Sequence, residues 1–268
     1  MFQRATNDEL LKLKKYDRVA VYLFRQLTTG YSPATLPREV HFTLDDVRAA
    51  DALCLSDGII DKPMANLPDI KYTYDARQDM PDEMTQAGPL TWLQAGKGKY
   101  KLRRTKRKNI IDLELFQIPQ PPLEPVLDQV PPFIANLLGK DEQAMFTRVR
   151  HAGLIGNFLS FSAWAIQGHH RTTLSYGQVE IDEVQAGLDG TVGTIVPISG
   201  KGGQDKLSWS QALNLNTYGI EKAPEAGLKV RSMGLWRDNS DVVWIVEFSP
   251  HTDIDDIEIV KVRRFKFQ

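Results

Sequence analysis

Cysteine is almost absent: Cys54 is the single thiol in 268 residues. That excludes an intramolecular disulfide and any zinc site built from several cysteines, and it predicts a reducing compartment, the cytoplasm. Cys54 has no evident partner histidine, so it reads as a buried structural thiol in preference to a nucleophile. Long apolar runs are missing as well. No apolar stretch reaches about 18 residues, and the first segment, MFQRATNDELLKLKKYDR, is polar and charged. The expectation is a chain with neither a secretory leader nor a membrane span. An excess of one charge is also lacking, since 33 Lys and Arg stand against 34 Asp and Glu, a net charge of −1. Attraction to a polyanion therefore has to come from uneven placement of charge.

What is present is a globular composition, 42% hydrophobic and 25% charged, enough to bury a core in one large domain or two ordinary ones. Leu10, Leu11, Leu13, Val19, Val21, Leu23 and Phe24 define an apolar face that predicts one helix over residues 8–26, ended near Gly30. Thr43, ahead of Leu44, Asp45 and Asp46, is a cap for a second helix that continues through Val47, Ala50 and Leu53. A third helix is predicted from Met80-Pro81, stopped by Gly88-Pro89. Residues 90–93 and 99–103, joined through two glycines, read as a hairpin. Three helices followed by a hairpin is the element order of a winged-helix domain.

Residues 97–108, KGKYKLRRTKRK, hold eight Lys or Arg in twelve positions and no acid. Strand alternation puts Lys97, Lys99, Lys101 and Arg103 on one face, where they can follow a phosphate backbone; Arg104, Lys106, Arg107 and Lys108 extend the patch. The alternative is an edge strand whose lysines guard against aggregation. Trp92 and Tyr100 beside it either stack on bases or pack the hairpin, and packing is the simpler reading. Residues 118–132, IPQPPLEPVLDQVPP, include six prolines, which predicts an extended, semi-rigid spacer. The expected division is therefore a DNA-binding domain over 1–117, a linker over 118–132 and a second domain over 133–268.

The second half predicts a helix over 140–167, bent near Gly153 and Gly156, then strands over 178–185, 194–201, 207–211, 228–235, 241–248 and 257–267, with a helix over 212–222. That order gives an α/β, more specifically α+β, domain with a mixed sheet. Its most informative stretch is GQVEIDEVQAGLDGTVGTIVPISGKGGQDK, residues 177–206. Glu180, Asp182 and Glu183 interrupt an otherwise apolar strand and need a cation or water. Alternation sets Glu180 and Asp182 on one face and Glu183 on the other. Across the Asp189-Gly190 turn, the partner strand brings Ser199 and Lys201 to one face, so a lysine comes near carboxylates. Oxygen ligands suit magnesium, which neutralises charge and acidifies a bound water in phosphodiester hydrolysis, and a lysine can orient that water. A cross-strand ion pair on a solvent face is the alternative.

This segment resembles the PD-(D/E)xK nuclease signature, an acid on one strand followed across a turn by acid-x-lysine on the next. It is similar in particular to a group of uncharacterised bacterial proteins described as endonucleases, in which an SDEQALL-type helix start, an NHLRTT-like segment, a GQVETDE-like strand and an IPVQAKGG-like strand recur in that order. Here the counterparts are GKDEQAMFTRVR (139–150), GHHRTTL (168–174), GQVEIDE (177–183) and VPISGKGGQDK (196–206), and the wing GKGKYKL is also alike. The resemblance covers residues 141–248. It implies a restriction-endonuclease-like fold, Asp182 as principal metal ligand, Lys201 as catalytic lysine, Glu180 or Glu183 assisting, and Glu142 as the acid from the preceding helix. The ion would be magnesium, or manganese in its place, and the Gly200 carbonyl could face it. One departure stands out: Ser199 occupies the acid position, where the similar proteins have glutamine. Either a nearby carboxylate substitutes, or activity is weak or absent. His169, His170 and Arg171 are read as a polar helix end, with contact to a scissile phosphate as the alternative. The expectation is a metal-dependent DNA endonuclease of a restriction or phage-defence system, acting on duplex DNA, as a homodimer or by successive nicks. The rivals are a catalytically inactive DNA-binding protein or specificity subunit on the same fold, and an RNA-directed nuclease.

Overall fold

A computed structural model describes residues 1–116, 119–139, 141–223 and 227–268. The chain divides into two compact units, Met1–Ile110 with Ser175–Gly177, and Ile111–Leu174 with Gln178–Gln268. The class is α+β with mixed sheets. Among the described residues no helix is long and apolar enough to cross a membrane.

The first unit contains α1 (Asn7–Lys12), α2 (Lys15–Leu27), β1 (Glu39–Thr43), α3 (Leu44–Ser56), α4 (Asp69–Ala76), β2 (Leu90–Gly96) and β3 (Lys99–Arg104). The single helix expected over 8–26 is two. Leu13 and Lys14 are extended, and Arg18 explains why the break is stable: its guanidinium donates to the carbonyls of Leu11 and Leu13, which the end of α1 leaves without helical partners. α3 begins where expected, with a capping box between Thr43 and Asp46. The third helix is misplaced in the sequence reading. It lies at Asp69–Ala76, directly after Pro68, while Glu83, expected inside a helix, is buried and forks onto Arg25 at 2.7 Å. The hairpin forms as expected, and β1 adds to β3 to give an antiparallel sheet in the order β1-β3-β2. The core gathers Val19, Leu23, Phe24, Phe42, Val47, Tyr74 and Trp92. Trp92 packs against Phe42, Tyr74 and Tyr100, so these aromatics fill the hairpin's inner face. Cys54 is fully buried and burial pushes its thiol up to about 11, with Asp51 adding to the shift.

The second unit contains α5 (Leu113–Phe116), β4 (Leu123–Val126), α6 (Pro132–Ala135), α7 (Glu142–His151), α8 (Leu154–Leu159), β5 (Ala163–Leu174), β6 (Gly177–Asp189, whose first residue falls in the other unit), β7 (Val192–Gly202), α9 (Trp209–Lys222), β8 (Lys229–Val230), β9 (Met233–Arg237), β10 (Val242–Phe248) and β11 (Ile259–Phe267). One eight-stranded sheet runs β4-β11-β10-β9-β7-β6-β5, with β8 beside β7. β6 and β7 are antiparallel, whereas β7 and β9 are parallel, joined across α9 as a parallel pair requires.

Three expectations change here. Residues 163–167 are strand because α8 stops at Ser160, whose φ of 66° takes the left-handed conformation that ends helices. His169, His170 and Arg171 thus lie on a strand and do not end a helix. Residues 209–211, expected in a strand, begin α9, capped by Ser208, whose side chain accepts from the Gln211 N–H. The proline-rich segment is more than a spacer: β4 pairs parallel with β11 at the sheet edge, where a proline costs no ladder bond, and Glu124 forks onto Arg263. Residue 118 of that segment and Lys140, the expected helix start, lie outside the described residues.

Candidate active site

Three elements of the second unit converge on Asp182. β6 alternates buried and solvent-facing positions through Ile181, so Asp182 is half-buried on the side away from Ile181. Its Oδ2 accepts from the Ser199 hydroxyl at 2.9 Å and from the Gly200 N–H at 2.8 Å, both on β7. Two donors on one carboxylate oxygen fix the group's direction. Gly200 also decides how close α7 comes. A Cβ there would sit 2.5 Å from the ring of Phe146, so only glycine permits this packing. The close approach brings Glu142, at the start of α7, to 3.7 Å from Nζ of Lys201. Lys201 is buried. Burial of the Glu142 carboxyl raises its pKa above the usual carboxylate range; Lys201 pulls the other way, while Asp182 and Asp205 push it further up. Burial plus like charge is the arrangement that a cation relieves.

The structure does not bring Glu183 to this point. It is buried, faces Ile198 across the ladder, and pairs with Arg150 of α7 at 2.8 Å, its pKa raised by burial against the pull of Gln185 and Arg150. Arg150 of α7 holds it on the sheet face opposite Asp182. Glu180 shares a strand face with Asp182 but engages Arg171 at 3.0 Å and His169 Nδ1 at 3.5 Å. Gly200 contributes its N–H to Asp182. Among the described residues no three His, Cys, Asp or Glu side chains cluster as a metal cage. Asp182 and Glu142, whose charges act on each other, are the acids here that could supply oxygen ligands to a hard divalent ion.

Beside these groups an open cleft of about 370 Å³ is lined by Glu142, Gln143, His169, Gly202, Gly203 and Arg237. Arg237 and Gln143 carry no mark in the sequence. Arg237 reaches the cleft because β9 runs parallel to β7 and pairs it with Gly202, and that long-range pairing is invisible to local pattern.

In the first unit, β3 places Lys99, Lys101 and Arg103 on one face, opposite Thr43, His41 and Glu39 of β1. Lys97 sits in the turn, beyond the strand. Acids supplied by other elements meet part of the patch. Lys101 Nζ is 2.9 Å from Glu39, Arg103 is buried 3.8 Å from the same carboxylate, and Lys108 is 2.7 Å from Asp79. Burial would raise the Glu39 pKa, but the bond and charge of Lys101, with Arg103 and His41, leave it lowered. Lys97, Lys99 and Lys106 are exposed, and Arg104 and Arg107 half-exposed. Compared with known protein families, characterised proteins and solved structures, the chain has no match in any of the three.

Proposed function

We propose that this chain is a magnesium-dependent endodeoxyribonuclease, with a winged-helix-like DNA-binding unit and a restriction-endonuclease-like cleavage unit. The observation that carries the reading is the meeting of Asp182, Glu142 and Lys201 beside an open cleft, with Ser199 and Gly200 aiming the Asp182 carboxylate. Asp182 and Glu142 would hold the ion, and when bound it would neutralise phosphate charge and make a water more acidic. Lys201 supplies a fixed positive charge, desolvated and therefore strong, against the developing charge of a pentavalent phosphorus centre. The exposed lysines of β3 and its flanks follow the duplex backbone, which sets orientation without reading sequence. Cutting both strands from one site per chain calls for a homodimer or two successive nicks. A cytoplasmic restriction or phage-defence role fits a nuclease that binds duplex DNA.

Incubating supercoiled plasmid with the protein and magnesium or manganese, with a chelator control, tests this. Nicked or linear product should form only with metal, and Asp182→Ala should lower the rate by about 10²-fold or more while leaving duplex affinity within a factor of two or three. Ser199 favours a second reading, a DNA-binding protein that keeps the fold without cutting, because a hydroxyl stands where the signature has an acid. Metal-independent binding with no product in any metal would establish that reading in place of the first.

A further inference from the structure

β5 is the last strand of the eight-stranded sheet, and among the described residues no strand pairs with its outer edge. Its first half is uncovered on both faces: every position from Trp164 to His169 is exposed, whereas Leu174 at the strand's end is buried. We infer that residues 163–168 are a self-association edge, which pairs antiparallel with the same segment of a second copy of this chain. This supplies the surface for the homodimer of the proposed function; only the use of that dimer, two cuts in one duplex, rests on the nuclease reading.

Three observations carry it. First, the edge is unguarded. Residues 163–168, AWAIQG, hold no charge and no proline, the devices that keep exposed strand edges apart. The edge strand on the other side of the sheet, β4, is short and carries Pro125. Second, the edge is apolar and directed. Trp164 and Ile166 are 61% and 62% exposed, and strand alternation sets both on one face, with Ala163 and Ala165 on the other. Third, the pattern is complementary to itself. Antiparallel pairing about a two-fold axis at Ala165 sets Trp164 opposite the partner's Ile166, and Ile166 opposite the partner's Trp164. An aromatic against a β-branched side chain is a favourable cross-strand pair, made twice by one symmetric contact. Charge selects this occupant over a polyanion. The basic residues of β5 lie beyond the segment, where His169 and Arg171 face Glu180 at 3.5 and 3.0 Å and His170 packs on Tyr218. The left-handed φ of 46° at His169 ends the regular strand geometry where the pairing segment ends. Because the axis stands normal to the sheet, each face keeps its side when the two eight-stranded sheets join. Both Asp182 groups then lie on the same side of one continuous sheet.

Sedimentation velocity of the full-length protein over a range of concentrations, without DNA or metal, reads the association directly. The wild type should form a dimer. Ile166→Glu, which puts a carboxylate on the apolar edge of each copy, should weaken the dimer about tenfold or more. Its melting temperature at high dilution should match the wild type, because residue 166 is exposed within one chain. Ala165→Cys reads the register: residues opposed on the axis hold their Cβ atoms about 5 Å apart, so this variant should crosslink to its own copy under mild oxidation. Cys54 is buried and does not compete. Ala163→Cys, opposed to the partner's Gln167, should not crosslink. A wild type that stays monomeric at every concentration, or a dimer that Ile166→Glu leaves intact, overturns the interface; failure of Ala165→Cys to crosslink overturns the pairing about residue 165. On plasmid, Ile166→Glu should shift the product from linear to nicked DNA. A dimer lost in that variant by a protein that cuts no nucleic acid would keep the interface and remove the nuclease reading.

Discussion

Glu142 is the residue whose chemistry depends most on its surroundings. Its carboxyl is raised above the ordinary range by burial, with Asp182 and Asp205 adding and Lys201 opposing. A carboxyl with a higher pKa in the folded than in the unfolded chain stabilises the fold fully below the unfolded value and loses that contribution as pH rises through the folded one. Glu142→Gln cannot ionise and escapes the loss. Thermal melting of this variant should therefore exceed the wild type near pH 8 and converge with it near about pH 4, where carboxyls are protonated, while cleavage falls. A lower melting temperature at pH 8 would mean that the Lys201 pair outweighs burial and like charge. Asp182, Ser199 and Lys201 were legible as a group because one tight turn joins their strands and alternation fixes their faces. The same rule set Glu183 on the opposite face, where it meets Arg150; the resemblance nevertheless made it a ligand. Arg237 and His169 were not legible as cleft residues, because one depends on a parallel crossover and the other on a left-handed backbone angle.

At the scale of elements, β3 shows how a strand's charge pattern is edited by its neighbour. The basic run contains no acid in sequence, yet β1 sets Glu39 against Lys101 and Arg103. Removing that acid should leave more positive field on the face. Glu39→Ala is expected to tighten duplex binding at low salt and to steepen the dependence of log affinity on log salt by about 0.9, one additional phosphate contact. Fluorescence anisotropy across a salt series measures both, and an unchanged slope would place the DNA elsewhere. β1 escaped the sequence reading because Glu39–Thr43 is short, buries only Phe42 and alternates weakly. α3 did not escape, because Thr43 and Asp46 cap it from within the local sequence. The third helix went to Pro81 because the proline rule is shared by turns; only the tertiary pairing of Glu83 with Arg25 shows that residues there serve as an anchor.

Across the whole molecule the balance of charge hides an unequal distribution, with eight cations in residues 97–108 and the paired carboxylates in the second unit. That separation matches a division of labour between holding a polyanion and hydrolysing it, since a binding face needs net positive charge and a metal site needs acids. The class and most elements of both units followed from periodicity and turns. The edge strand β4 did not, because its prolines mask a segment that pairs with β11. The claim on which the account stands is that Lys201, buried beside Glu142, acts on the scissile phosphate. Lys201→Met keeps the length of the side chain and removes its charge, so single-turnover cleavage of a labelled duplex in magnesium isolates that one charge. The account predicts a chemical rate lowered by about 10²- to 10³-fold at unchanged duplex affinity; a variant that cuts at the wild-type rate would contradict it.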